Sequence, residues 1–108
     1  MKFTDEQIAD IGEEIIRTLK TIYDPEIPVD IYELGLVYDV QISDDADVKI
    51  IMTLTTPNCP VAESLPQEVK DKVMEVENVK SVDLELTFEP SWHKDMMSEE
   101  AKFELGML

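Results

Sequence analysis

The chain has 108 residues, of which 44% are hydrophobic, a length and composition that suit one soluble domain spanning 1–108 with a modest core. Its 25 acidic residues face nine basic ones, for a formal net charge of -16, and no Lys/Arg patch stands out, which excludes binding to nucleic acid or anionic lipid through phosphates. No apolar run approaches the ~20 residues that span a bilayer, the N-terminus lacks the order of a signal peptide, and a single cysteine agrees with a reducing cytoplasm.

Thr4 to about Ile22 reads as a helix. Thr4 with Gln7 makes a capping box, Asp5 and Glu6 suit the positive end of the dipole, and Ile8, Ile11, Ile15, Leu19 and Ile22 form one apolar stripe. Pro25 and Pro28 stop any helix within Asp24-Pro25-Glu26-Ile27-Pro28. Asp30 to Leu34 suggests a short helical turn closed by Gly35.

Leu36 to Ile42 alternates, with Leu36, Tyr38, Val40 and Ile42 on one face and Val37, Asp39 and Gln41 on the other. After the polar loop Ser43 to Asp47, Val48, Ile50, Met52 and Leu54 alternate with Lys49, Ile51, Thr53 and Thr55, which completes a hairpin. The loop lacks the Asp-x-Asp-x-Asp-Gly spacing of a calcium site.

Ala62, Leu65, Val69, Val73 and Val76 recur at helical spacing. Two starts fit: Pro60 as first helical residue with Cys59 as N-cap, or Ser64 with Gln67, with a kink or interruption near Pro66. Val82, Leu84, Leu86 and Phe88 make a third strand. An irregular stretch follows, holding Trp92 and His93, and Ser98-Glu99-Glu100 opens a last helix that ends near Gly106.

The expected order is α-β-β-α-β-α, an α+β two-layer domain: a small mixed three-stranded sheet covered on one face by two helices. The opposite face, carrying Asp39, Gln41, Lys49, Thr53, Asp83 and Glu85, is expected to meet water.

Cys59 lies in the most unusual stretch, Thr55-Thr56-Pro57-Asn58-Cys59-Pro60, between a strand and a helix. If Pro60 begins that helix, the free N–H groups of Val61 and Ala62 favour thiolate, the form that binds metals and attacks electrophiles. The alternative is a small buried apolar residue. A thiol enzyme would need a base, and His93 is the only histidine. A closed zinc site would need four ligands, and the chain has no C-x-x-C. Asp24 and Glu26 present two carboxylates on a proline-stiffened bend, or simply cap a turn. The Thr55 and Thr56 hydroxyls could donate to a sulfur.

Several of these segments together resemble one family. Asp24-Pro25-Glu26-Ile27-Pro28-Val29-Asp30-Ile31-Tyr32-Glu33-Leu34-Gly35-Leu36-Val37-Tyr38 looks like its first signature. Met52-Thr53-Leu54-Thr55-Thr56-Pro57-Asn58-Cys59-Pro60 looks like its second, and Pro90-Ser91-Trp92 with Met97-Ser98-Glu99-Glu100-Ala101 resembles its C-terminal end. The family is the SufT/PaaD-like iron–sulfur cluster assembly domain, found also in the cytosolic iron–sulfur targeting component of eukaryotes and fused to some cluster-carrier ATPases. Asn58 stands where the family commonly has glycine, and no ATPase segment accompanies the domain, so the stand-alone form is expected.

The resemblance implies a cluster-assembly-type α/β sandwich and an accessory role in iron–sulfur assembly or delivery, without catalytic turnover. It implies that Cys59 is functionally required and serves as metal ligand. Asp24, Glu26, Thr55 and Thr56 gather with it around one pocket for iron or an iron–sulfur cluster, held transiently and shared with a partner. The implied partners are the assembly machinery and client apoproteins; a homodimer would supply two thiolates to a bridging cluster. A thiol enzyme using Cys59 with His93, and a plain interaction module with Cys59 as core packing, are the competing readings.

Overall fold

The computed structural model describes residues 2–24, 27–54 and 64–106. Helix α1 spans Asp5–Leu19, and the Thr4–Gln7 capping box forms in full, each side chain bonded to the other's backbone. The helical pattern reaches Ile22, but the chain tightens first: Thr21 N–H bonds the Thr18 carbonyl and Ile22 N–H the Leu19 carbonyl, three residues back. Ile11, Ile15 and Leu19 on the helix and Ile22 just past it are buried, with Ile8 half-buried against the core, so the predicted stripe faces the core.

Strands β1 (Val37–Ile42) and β2 (Asp47–Met52) form the expected hairpin, and β3 (Ser81–Leu86) lies parallel to β2 on its other side. The sheet order is β1-β2-β3. Ile42, Val48 and Val82 stand in register in one row, and Val40, Ile50 and Leu84 in the next. Helix α2 (Ser64–Met74) buries Leu65, Val69 and Val73. It packs on β3, α1 packs on β1, and the helices touch each other, which gives the two-layer α+β architecture.

Pro66 is the third residue of α2, and the helix runs on through it without interruption. A proline there removes an N–H that no carbonyl within α2 needs, because the first turn's donors have no intrahelical partner. A turn beginning at Pro60 concerns residues outside those described. A single 3-10 turn, Lys94–Met96, precedes helix α3 (Glu99–Glu104), whose N-cap is Ser98 as expected and after which Gly106 takes a φ of 73°.

Asp30 to Leu34 forms the expected short helical turn: Leu34 N–H bonds the Asp30 carbonyl at 3.0 Å, and Asp30 Oδ2 accepts the Glu33 N–H at 3.0 Å. Its close is a Schellman motif: Leu36 N–H bonds the Ile31 carbonyl, Gly35 N–H bonds the Tyr32 carbonyl, and Gly35 takes a φ of 81°. In β1 the register shifts between Val37 and Asp39, so Val37 pairs with Met52 and Tyr38 is not in line with Val40 and Ile42. The Tyr38 hydroxyl instead donates to the Pro90 carbonyl at 2.8 Å.

The second difference, after the β1 register, is Thr53. Asp39, Gln41, Asp83 and Glu85 are exposed and Lys49 pairs with Glu85 at 3.6 Å, so that face meets water. Thr53 does not: its exposure is 0%. It lies past the end of β2, where its N–H bonds the Leu36 carbonyl and ties it against the 31–36 turn.

Candidate functional site

Asp24 follows α1 at the start of the bend before the Schellman turn. It is 4% exposed, its N–H donates to the Val29 carbonyl at 3.3 Å, and its Oδ1 accepts the Ile27 N–H at 3.1 Å. Tyr23 and Asp30 pair across the same bend as an isolated antiparallel bridge. The carboxylate therefore caps its own turn, as the plain structural reading expected, and is also buried, which an ordinary surface turn does not require. Backbone bonds hold it in place, so its orientation is set before any ligand arrives.

Glu26, Thr55, Thr56 and Cys59, the other predicted site residues, lie outside the described residues. Their chain neighbours are placed. Leu54 and Thr53 are buried at the end of β2, and Thr53 is joined to Asp24's segment by a short ladder of backbone bonds. Thr53 N–H bonds Leu36, Leu36 N–H bonds Ile31, and Ile31 N–H bonds Ile22. The fold thus links the start of the second motif, through Leu36 and Ile31, to Ile22, two positions before Asp24.

Two residues gain importance that sequence reasoning had not given them. The Thr53 Oγ1 is buried with no hydrogen-bond partner among the described residues, an arrangement that costs about 1–3 kcal/mol. Its place within the second motif was the one signal available. Asp30 has its carboxyl held above the ordinary 3.8, first by burial and then by the nearby Glu33 carboxylate, against the lowering effect of the Glu33 N–H.

A raised carboxyl favours the folded state at low pH. The contribution is complete below 3.8 and is lost as pH rises through the higher folded value, so ionised Asp30 costs stability at neutral pH. Asp30→Asn keeps an acceptor for the Glu33 N–H and removes the charge. Its urea midpoint is expected to exceed the parent's at neutral pH, with the advantage vanishing below pH 3.8; an equal advantage at both pH values would refute this origin.

His93, the proposed base of the thiol-enzyme reading, is exposed in the C-terminal arm, with Nδ1 3.9 Å from Asp95 Oδ2. Its neighbour Trp92 is anchored, donating Nε1–H to the Leu34 carbonyl at 2.7 Å. Among the described residues, no three His, Cys, Asp or Glu side chains gather closely enough to hold a metal ion. A cleft of about 460 Å3 between α1 and the end of α2, lined by Glu14, Thr18, Lys72 and Glu75 among others, contains none of the predicted site residues. No helix among the described residues is long and apolar enough to cross a membrane.

The sequence model of the family described as iron–sulfur cluster assembly protein matches residues 12–86. An Fe-S protein maturation auxiliary factor from Porphyromonas gingivalis is 56% identical over 89% of this chain and 91% of its own length. The Fe-S protein maturation auxiliary factor SufT of Staphylococcus aureus is 37% identical over 80% of this chain and 98% of its own. Among solved structures, a domain of unknown function (DUF59) from Bacillus anthracis is similar with a TM-score of 0.85 at 34% identity, covering 93% of this chain and 95% of that one.

Proposed function

Because this chain belongs to the SufT/PaaD-like iron–sulfur cluster assembly family, we propose that it is an accessory factor that acts by binding through Cys59, as an adaptor or transient carrier, and not by turnover. The observation that carries this reading is the family match over 12–86, a span that includes Asp24, Glu26, Thr55, Thr56 and Cys59 together. The maturation and auxiliary roles in the relatives' names support it.

The chemistry of the donor set limits what binding means. Clusters held by four thiolates need four cysteines, and this chain has one. Iron or a cluster is therefore cargo, with Cys59 supplying one sulfur and a partner, a second copy or an external thiol supplying the rest. Asp24, Glu26, Thr55 and Thr56 shape the pocket: carboxylates favour the cation, and hydroxyls donate to sulfur. The partners are the assembly machinery and client apoproteins, in the cytoplasm.

Anaerobic reconstitution with ferrous iron and sulfide, followed by absorbance and native mass, tests the ligand count. Cluster that appears only on a dimer or with added thiol supports the carrier form, and no cluster supports the adaptor. A stable cluster on the monomer would contradict the proposal. His93→Ala is expected to leave client-enzyme maturation in cells unchanged, since His93 is exposed; abolition would favour the thiol enzyme.

A further inference from the structure

We infer that the outer face of helix α3 docks a Lys/Arg-bearing segment of a partner protein, which seats a cationic side chain on the Phe103 ring among the carboxylates of Glu99, Glu100 and Glu104. This rests on the reading of the chain as a factor that acts by binding, and names the chemistry of a surface it binds.

Phe103 is 73% exposed, so its ring adds little to the core. The helix beneath it is nonetheless held. Met97 and Ala101 are buried, and Ser98 N–H bonds the Glu33 carbonyl at 2.8 Å. The ring borders an open depression of about 460 Å3 that is also lined by Glu99, Glu100 and Glu104.

Helical spacing gathers these side chains: Glu99 and Glu100 precede Phe103 by four and three positions, and Glu104 follows Glu100 by four. The fold does not account for the set. The helix dipole favours Glu99 and Glu100 in the first turn but opposes Glu104 at the other end. Glu100 and Glu104 are like charges one turn apart, which destabilises a helix. None of the three makes an ion pair among the described residues, and neither does Lys102, the helix's own cation.

A cation from outside satisfies both features, since carboxylates attract it and the face of an aromatic ring holds it. Arg does this best, because its planar fork stacks on the ring and reaches carboxylates at once. The chain makes the same arrangement within itself: Lys20 Nζ lies 5.4 Å from the centre of the Tyr32 ring and 3.6 Å from Glu33 Oε1. A second copy fits poorly, because it carries the same net charge of -16 and would set three carboxylates against three.

The test titrates the full chain with a short synthetic peptide of Arg, Leu and Ala, and with its twin carrying Gln for every Arg, and follows backbone amide shifts and affinity. The Arg peptide is expected to shift the amides of 99–105 first and to weaken with salt, and the Gln twin to leave them unmoved. Phe103→Ala, and Glu100→Gln with Glu104→Gln, are each expected to weaken the Arg peptide by about fivefold. Asp10→Asn with Glu13→Gln, on the exposed face of α1, leaves it unchanged. Equal weakening by the α1 pair would show only general acidity, and equal binding of the Gln twin would show only apolar contact; either overturns the inference. So does a native-mass dimer of the parent that Phe103→Ala dissolves, or a lower urea midpoint in Phe103→Ala, which would show that the ring serves the fold. In cells, Phe103→Ala is expected to lower client-enzyme activity several-fold, and parental activity would show the face idle. If Cys59→Ala is inactive while Phe103→Ala binds the Arg peptide as the parent does, only the docking face falls. If Cys59→Ala is fully active while the Arg peptide still docks on α3, the reading of Cys59 falls and the docking face stands.

Discussion

Cys59→Ala is expected to abolish maturation of client cluster enzymes while the urea midpoint stays close to the parent's. The chain contains no other thiol, so nothing else in it can supply thiolate sulfur to iron, to a cluster edge or to a partner's thiol. Cys59→Ser separates sulfur chemistry from shape. It is nearly isosteric, but its hydroxyl stays protonated at neutral pH, whereas a free thiol titrates near about 8.5, so Ser is expected to fail as Ala does. Activity of a cluster-dependent enzyme in cells that carry only the variant is the readout.

The competing readings predict different patterns for the same variants. If Cys59 were core packing, Ala would lower stability by about 1–2 kcal/mol through lost burial and client activity would survive in proportion to folded protein. If Cys59 were a nucleophile with His93 as base, His93→Ala would abolish activity as fully as Cys59→Ala.

Much of the fold is written in periodicity. Ile11, Ile15 and Leu19 on α1, Ile22 just past its end, and Leu65, Val69 and Val73 on α2 are buried as their spacing predicts. Val48, Ile50 and Met52 likewise mark the core face of β2. Local hydrogen-bonding chemistry was equally legible at the Thr4–Gln7 box, Ser98 and Gly35, because each depends only on residues a few positions away.

What sequence reading missed is non-local. A strict alternation puts Tyr38 with Val40 and Ile42, but a bulge shifts the side-chain phase by one, and the Tyr38 hydroxyl then meets Pro90, far along the chain. Thr53 follows the solvent-facing phase of β2, yet the strand has ended and the 31–36 turn takes over its N–H. No pattern in either segment announces that meeting. The site divides in the same way. Asp24's burial comes from the fold, while its role and those of Glu26, Thr55, Thr56 and Cys59 are proposals carried by the motif match.

Gly35→Ala is expected to be among the most destabilising single-methyl changes in this protein, at roughly 3 kcal/mol. Two costs combine. Gly35 sits at a φ of 81°, where a non-glycine residue costs about 1–2 kcal/mol. A Cβ there would also clash with the Met96 carbonyl oxygen and lie 3.0 Å from its carbon. Those are backbone atoms, so no rotamer change relieves the contact, and the C-terminal arm must move. That arm is fastened to the same region by Trp92 Nε1–H on the Leu34 carbonyl, the Tyr38 hydroxyl on the Pro90 carbonyl, and Ser98 N–H on the Glu33 carbonyl at 2.8 Å. Displacing Met96 strains all three. Gly106→Ala is the control, because Gly106 has nearly the same φ, 73°, but a Cβ there meets nothing within 4 Å. The excess loss in Gly35→Ala over Gly106→Ala measures the close approach to Met96 separately from backbone handedness. Trp92, the only tryptophan, reports the displacement directly: its fluorescence is expected to shift to the red in folded Gly35→Ala and to stay put in Gly106→Ala. Equal urea midpoints for the two variants, or an unmoved Trp92 emission in Gly35→Ala, would refute the account of how the arm is held against the turn that carries the first motif.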